Sequence, residues 1–185
     1  MKQTQACLSP RWSTSHLPDL SGLAFRRARS DDAGGLAELI RALSPTSAFN
    51  RFLVGLGEPP AELVRLLIGR DLRRGAWVAV DGDRVVGHAC WAILDGAVDA
   101  GVVIADAWQG RGVGRRLFGS ALADAAAAGA REVHLDVHSG NRRVVRSLRG
   151  GLPDAEITRD GGMLRFRAPL APVLDRLLDR VLLAG

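Results

Sequence analysis

The residues best suited to chemistry lie between Val102 and Arg116, in the stretch VVIADAWQGRGVGRR. Gly110, Gly112 and Gly114 let the backbone turn tightly and come close to a ligand, and the first N–H groups of a following helix point into the same space. The positive end of the helix dipole adds favourable charge there, and Arg111, Arg115 and Arg116 bring planar donors to the loop and first turn. Such a turn suits a pyrophosphate. Two phosphate motifs fail on residue type. A nucleotide P-loop needs Gly-Lys before Ser or Thr, yet Lys2 is the sole lysine of the chain; the dinucleotide fingerprint needs a glycine where Arg115 stands. Elsewhere His134, Asp136 and His138 alternate along one strand face. Metal ligands share that pattern with any polar face; the polar face is the simpler reading, and no metal is expected.

The pattern around the loop predicts what holds it. LAFRRA from Leu23 alternates as a strand, and Ser30 is expected to cap a helix with Ala33, Leu36, Ala37, Leu39 and Ile40 at helical spacing. Ser44-Pro45 and Pro59-Pro60 each open a short helix. AWVAV at 76–80 and RVVGHACWAIL at 84–94, joined by Asp81-Gly82-Asp83, predict antiparallel neighbours; in the second, His88 reads as a core or channel residue. AVDAGVVIA at 97–105 carries the continuous apolar run of a central strand and leads through the glycines into an alanine-rich helix ending at Gly129. A strand at 131–137, a basic helix closed by Gly150-Gly151, a strand at 163–168 and an amphipathic tail complete the chain. In the tail, Leu170, Val173, Leu174, Leu177, Leu178, Val181 and Leu182 form one stripe that needs the sheet or a twin subunit to cover it, so a homodimer is an open expectation. The order predicts one α/β (α+β) domain with a mixed, mostly antiparallel sheet flanked by helices. Residues 1–22 read as a flexible leader, 23–170 as the domain and 171–185 as the terminal helix.

A chain of 185 residues with 47% hydrophobic and 24% charged residues suits one globular domain with a full core. The cysteines, Cys7 and Cys90, build no disulfide framework, and no apolar run fits a membrane span or a secretory signal, so a reduced, cytoplasmic protein is expected. The net charge of +5 is carried almost wholly by arginine, which suits an anionic ligand but equally describes solvated faces.

Gln109 to Gly114, QGRGVG after a central apolar strand, resembles the acyl-CoA-binding motif of the GNAT superfamily of N-acetyltransferases, and the order of elements from Leu23 to Leu170 matches. The segment LSPTSAFNRF, followed by the hairpin and ADAWQGRGVG, is similar to bacterial GNAT domains of cyclic-AMP-regulated protein lysine acetyltransferases. The resemblance implies acetyl-CoA as co-substrate and a sheet splayed at its centre to admit it. It implies that the loop from Gln109 through Gly110, Arg111, Gly112, Val113 and Gly114 to Arg115 binds the CoA pyrophosphate. Backbone of Val102, Val103 and Ile104 would pair with the pantetheine arm and meet the developing oxyanion, and Asn141 would contact the cofactor.

Acetyl transfer to an amine needs the neutral amine, and a lysine of pKa ~10.4 is neutral only about once in a few thousand molecules at pH 7. Asp99, ten residues before Gln109, stands where related sequences commonly carry a glutamate, and is the first candidate base; His138 is the alternative. Many GNAT enzymes protonate the departing sulfur with a tyrosine, at a place corresponding to Leu148; this chain contains no tyrosine. A thiol of pKa about 8.5 leaves tolerably as a thiolate, so the lack does not abolish the chemistry. Three readings follow. The first is an N-acetyltransferase acting on a protein lysine or a small amine. The second is a catalytically weak or silent acyl-CoA sensor. The third, a nucleic-acid binder, has basicity in its favour but no recognisable nucleic-acid motif.

Overall fold

The computed structural model describes residues 20–55 and 57–182, with side chains described to residue 177. Cys7, most of the expected leader, and the side chains of Leu178, Val181 and Leu182 lie outside the described residues.

Strands β1 (Leu23–Arg27), β2 (Arg74–Asp81), β3 (Arg84–Leu94), β4 (Ala97–Ile104), β5 (Glu132–His138), β6 (Glu156–Asp160) and β7 (Met163–Pro169) form one sheet in the order β1-β2-β3-β4-β5-β7-β6. Every pairing is antiparallel except β4 with β5. The parallel pair requires a crossover, which helix α4 (Val113–Ala127) supplies. β4 is thus central, as its apolar run predicts. β6, EITRD, has no apolar alternation and is exposed throughout; an edge strand with little to bury leaves no periodicity to read, and sequence reasoning passed over it.

Helices α1 (Ala33–Arg41), α2 (Pro45–Phe52) and α3 (Ala61–Ile68) precede the β2–β3 hairpin, and α5 (Arg142–Gly151) and α6 (Leu170–Leu182) follow β5 and β7. Ser30 is not the cap of α1. It opens a short 3-10 turn, and the Asp32 carboxylate accepts from the Arg29 amide at 2.7 Å and from both terminal nitrogens of Arg26. Asp32 occupies the position before α1 without a side-chain bond to the helix, because its carboxylate is taken up by the Arg26 fork and the Arg29 amide. Ser44 does cap α2, its hydroxyl accepting from Ser47 N at 3.3 Å with Pro45 in the first turn. The Gly150-Gly151 pair lies inside the last turn of α5 rather than beyond it.

One core joins the sheet to α4 and α6 through Val98, Leu117, Leu122, Phe166 and Leu170; the other joins it to α1 and α3 through Leu36, Ile40, Val64, Val78 and Val103. The tail stripe begins in the first of these, with Leu170 and Val173 buried and Leu174 and Leu177 packed against it. No helix among the described residues is long and apolar enough to cross a membrane.

Candidate functional site

β4 and β5 pair only at Ala97 with Glu132, Val98 with Val133 and Asp99 with His134. From Ala100 to Ile104 the β5-facing edge of β4 pairs with no described strand, while β5 continues against β7 as far as His138. The result is a wedge between two neighbouring strands, its apex at Asp99 and its wide end at Ile104. Backbone amides and carbonyls along such an edge need partners.

The glycine turn stands at the wide end. Gly110 and Gly112 have φ of +82° and +84°, values that L side chains rarely adopt. At Gly114 the first turn of α4 lies against β4, where an added Cβ would be in ordinary contact 3.4 Å from Ile104 Cγ1. The first intrahelical bond of α4 runs from Arg116 N to Gly112 O at 3.1 Å, so the amides of Val113 and Gly114 precede it. Arg143 of α5 brings its Nη2 within 3.1 Å of where a Cβ on Gly110 would lie, adding a guanidinium to the cradle. Arg111 stacks over Trp108 with Cζ 5.0 Å from the ring centroid; Arg116 turns away to Phe25 of β1, 4.2 Å from its centroid.

Asn141 also stands at this end, where its Oδ1 caps α5 by accepting from Val144 N at 3.3 Å. The Gln109 side chain has work inside the protein: its Nε2 is shared among Ile104 O, Asp106 Oδ1 and Ser47 Oγ at 3.0–3.2 Å. Asp106 is the hub of that network and escaped sequence reasoning. Its carboxylate accepts from the Ser44 amide at 2.8 Å and from the hydroxyls of Ser44 and Ser47, tying the start of α2 to the loop. Burial pushes the Asp106 carboxyl up, but the bonds from Ser47 and Ser44 outweigh it and hold it below the usual value. A lowered folded pKa contributes stability above the unfolded value, lost as pH falls through the folded one. Asp106→Ala is therefore expected to cost about 1 kcal/mol at neutral pH, since the exposed bonds are screened by solvent, and to weaken coenzyme A binding severalfold. Melting curves at pH 7 and pH 3 check this: the gap between variant and wild type should shrink in acid.

Asp99, at the apex, faces water and shares its side of the sheet with Gly101. Its outer face is wet, but the surrounding protein partly desolvates the carboxyl and pushes it above the usual carboxylate range; the Asp136 carboxylate adds to this, opposed by Arg51, Arg165 and His134. Asp136 is itself held by a two-pronged bond to Arg165, at 2.6 and 2.7 Å. His138 lies four residues beyond His134 on β5, about 13 Å along the strand from the apex. Its Nδ1 accepts from Gly140 N at 3.2 Å, leaving the proton of the neutral ring on Nε2, and its ring meets Phe49 of α2 edge-on at 5.3 Å. The two candidate bases are thus at opposite ends of the wedge. His88 is wholly buried, its Nε2 3.0 Å from Leu67 O; burial and then Arg51 push its pKa down to about 4, so it is neutral at pH 7.

The sequence matches the model of the Acetyltransferase (GNAT) family over residues 45–149, more than half the chain. The chain belongs to the GNAT family of acetyltransferases. The match runs from the start of α2 to the last turn of α5 and so contains the whole GNAT wedge, cradle and apex. Solved structures agree on the fold. The GNAT domain of S. lividans PAT superposes with a TM-score of 0.71 at 22% identity, covering 78% of this chain and 89% of that one. The yncA protein of Salmonella typhimurium, a putative acetyltransferase with its cofactor acetyl-CoA, gives 0.60 at 17% identity, covering 80% and 94%. Spermidine N-acetyltransferase from Vibrio cholerae in complex with CoA and spermine gives 0.63 at 15% identity, covering 83% and 99%. No curated protein sequence matches the chain.

Proposed function

We propose that this GNAT domain, spanning residues 23–170 in a reducing cytoplasmic setting, transfers an acetyl group from acetyl-CoA to a primary amine by direct attack on the thioester. The observation that carries the reading is the end of β4–β5 pairing at Asp99, which leaves an open strand edge running from a carboxylate to a glycine cradle. From Ile104 to Asp99 is five residues, about 16 Å, a fitting span for a long arm with phosphates at one end and a reacting carbonyl at the other. The fit to a diphosphate rests on the left-handed glycines, the α4 amides and the Arg143 guanidinium. The bound co-substrate supplies the activated acyl carbon.

The protein's residues do the rest. Asp99, directly or through one water, takes a proton from the acceptor ammonium; the free amine attacks the carbonyl carbon; a C–N bond forms as the C–S bond breaks. A backbone N–H on the open edge of β4, just past the last pairing at Asp99, donates to the oxygen on which charge develops. The sulfur leaves as thiolate and takes up, through water, the proton that the nitrogen sheds as it becomes the amide, while Asp99 returns its own proton to solvent; this accommodates a chain without tyrosine. Asp99 is favoured over His138 because its carboxyl is free to accept, whereas the accepting nitrogen of His138 is engaged by Gly140.

Thiol release from acetyl-CoA across a panel of amines tests the reading. Acceptor-dependent release is expected. Tight coenzyme A binding with no release above the buffer rate for any amine would instead favour the sensor.

A further inference from the structure

We propose that Arg51 forms an anion subsite beside Asp99, and that the acceptor is an α-amino acid with an apolar side chain, its carboxylate on Arg51 and its amine on Asp99. The proposal rests on the acetyltransferase reading and narrows its acceptor.

Arg51 is a half-buried guanidinium that forms no direct ion pair with any described carboxylate. Its Nη2 donates to Cys90 Sγ at 3.2 Å, a weak acceptor, and its Cζ lies 5.3 Å from the Phe52 ring centroid. Its Nε is shut off from water and has no hydrogen-bond partner. A charge held this way is costly unless something anionic or a bound water completes it. A carboxylate matches a guanidinium fork in charge and plane.

Position supplies the other half. Arg51 lies flat on β4 where Gly101 has no side chain; a Cβ there would fall 2.5 Å from its Cζ. Gly101 and Asp99 are two residues apart on one face of β4, about 7 Å, so a cation and an anion stand side by side in the order that an ammonium and a carboxylate one carbon apart would need. Arg51 already acts on Asp99, whose pKa its charge lowers. Exposed Phe49 on the same helix and Leu53 and Val54 just beyond it, at 41%, 44% and 54% exposure, form an apolar rim for the rest of the acceptor. A polyamine would instead meet an uncompensated positive charge.

Matched pairs test this: phenylalanine against phenethylamine, and methionine against 3-methylthiopropylamine, each followed by thiol release from acetyl-CoA. The wild type is expected to favour the amino acid of each pair by about 10- to 100-fold in kcat/KM. Arg51→Gln should abolish the preference through KM, Arg51→Lys should retain part of it, and Gly101→Ala, which must displace the guanidinium, should lose it as well. Equal rates within the pairs, or a preference that survives Arg51→Gln, overturn the subsite while leaving the acetyltransferase intact. No acceptor-dependent release with any amine overturns both.

Discussion

Gly112→Asp is expected to weaken coenzyme A binding by at least 100-fold in calorimetry while the domain stays folded. Gly112 has φ +84°, and no atom lies within 4 Å of where its Cβ would be, so the added Cβ meets open space. The left-handed backbone costs about 1–2 kcal/mol at most, and aspartate is among the residues that tolerate it. The larger effect is electrostatic. A carboxylate about 5 Å from a diphosphate charge, at an effective dielectric near 20, opposes binding by about 3 kcal/mol. Gly112→Asn has nearly the same shape and backbone tolerance without the charge, and should lose less than tenfold. Added salt should narrow the gap between the two variants. If the aspartate variant binds like wild type, the diphosphate does not sit over this turn.

The glycine turn was legible because phosphate recognition by backbone leaves a mark in residue type: three glycines between an apolar strand and a helix free the very amides that an anion needs. The sheet was legible for the same kind of reason, since β2 through β5 alternate or run apolar, whereas β6 buries nothing and gives no period. The wedge is different. Val102 to Ile104 would read alike whether paired on one edge or two, because side-chain pattern reports the faces of a strand and not its edges. Ser44 and Ser47 sit about sixty positions from Asp106 and Gln109 in sequence, and only the fold makes them one network. Arg51 lay in plain view within LSPTSAFNRF, yet its meaning depends on the missing side chain of Gly101, fifty residues on. A signal could have been sought there: a glycine inside a central strand marks a close approach by something.

Asp99→Asn is expected to lower kcat/KM for amine acetylation by about 100- to 10,000-fold while leaving coenzyme A affinity near wild type. The carboxylate stands at the apex, five residues from the cradle end of β4, so its loss removes proton acceptance without touching the diphosphate contacts. The pH profile follows from the direction of the shift. Crowding and then Asp136 raise the Asp99 pKa, so the wild-type rate should fall as pH drops through a value above that of an ordinary aspartate, and this acid limb should vanish in the variant. Asp136→Asn should move the limb downward, because one of the two causes of the shift is gone. Stability should respond with the opposite sign to activity. A carboxyl with a raised folded pKa stabilises the protein below its unfolded pKa and loses that contribution as pH rises through the folded one; at neutral pH the ionised Asp99 is a burden, and the asparagine variant should melt no lower than wild type. A variant that is slower yet as stable marks a group retained for its chemistry. An Asp99→Asn protein with wild-type kcat/KM and an unchanged acid limb would move the proton acceptor elsewhere in the wedge, and His138→Gln would then be the variant to carry the loss.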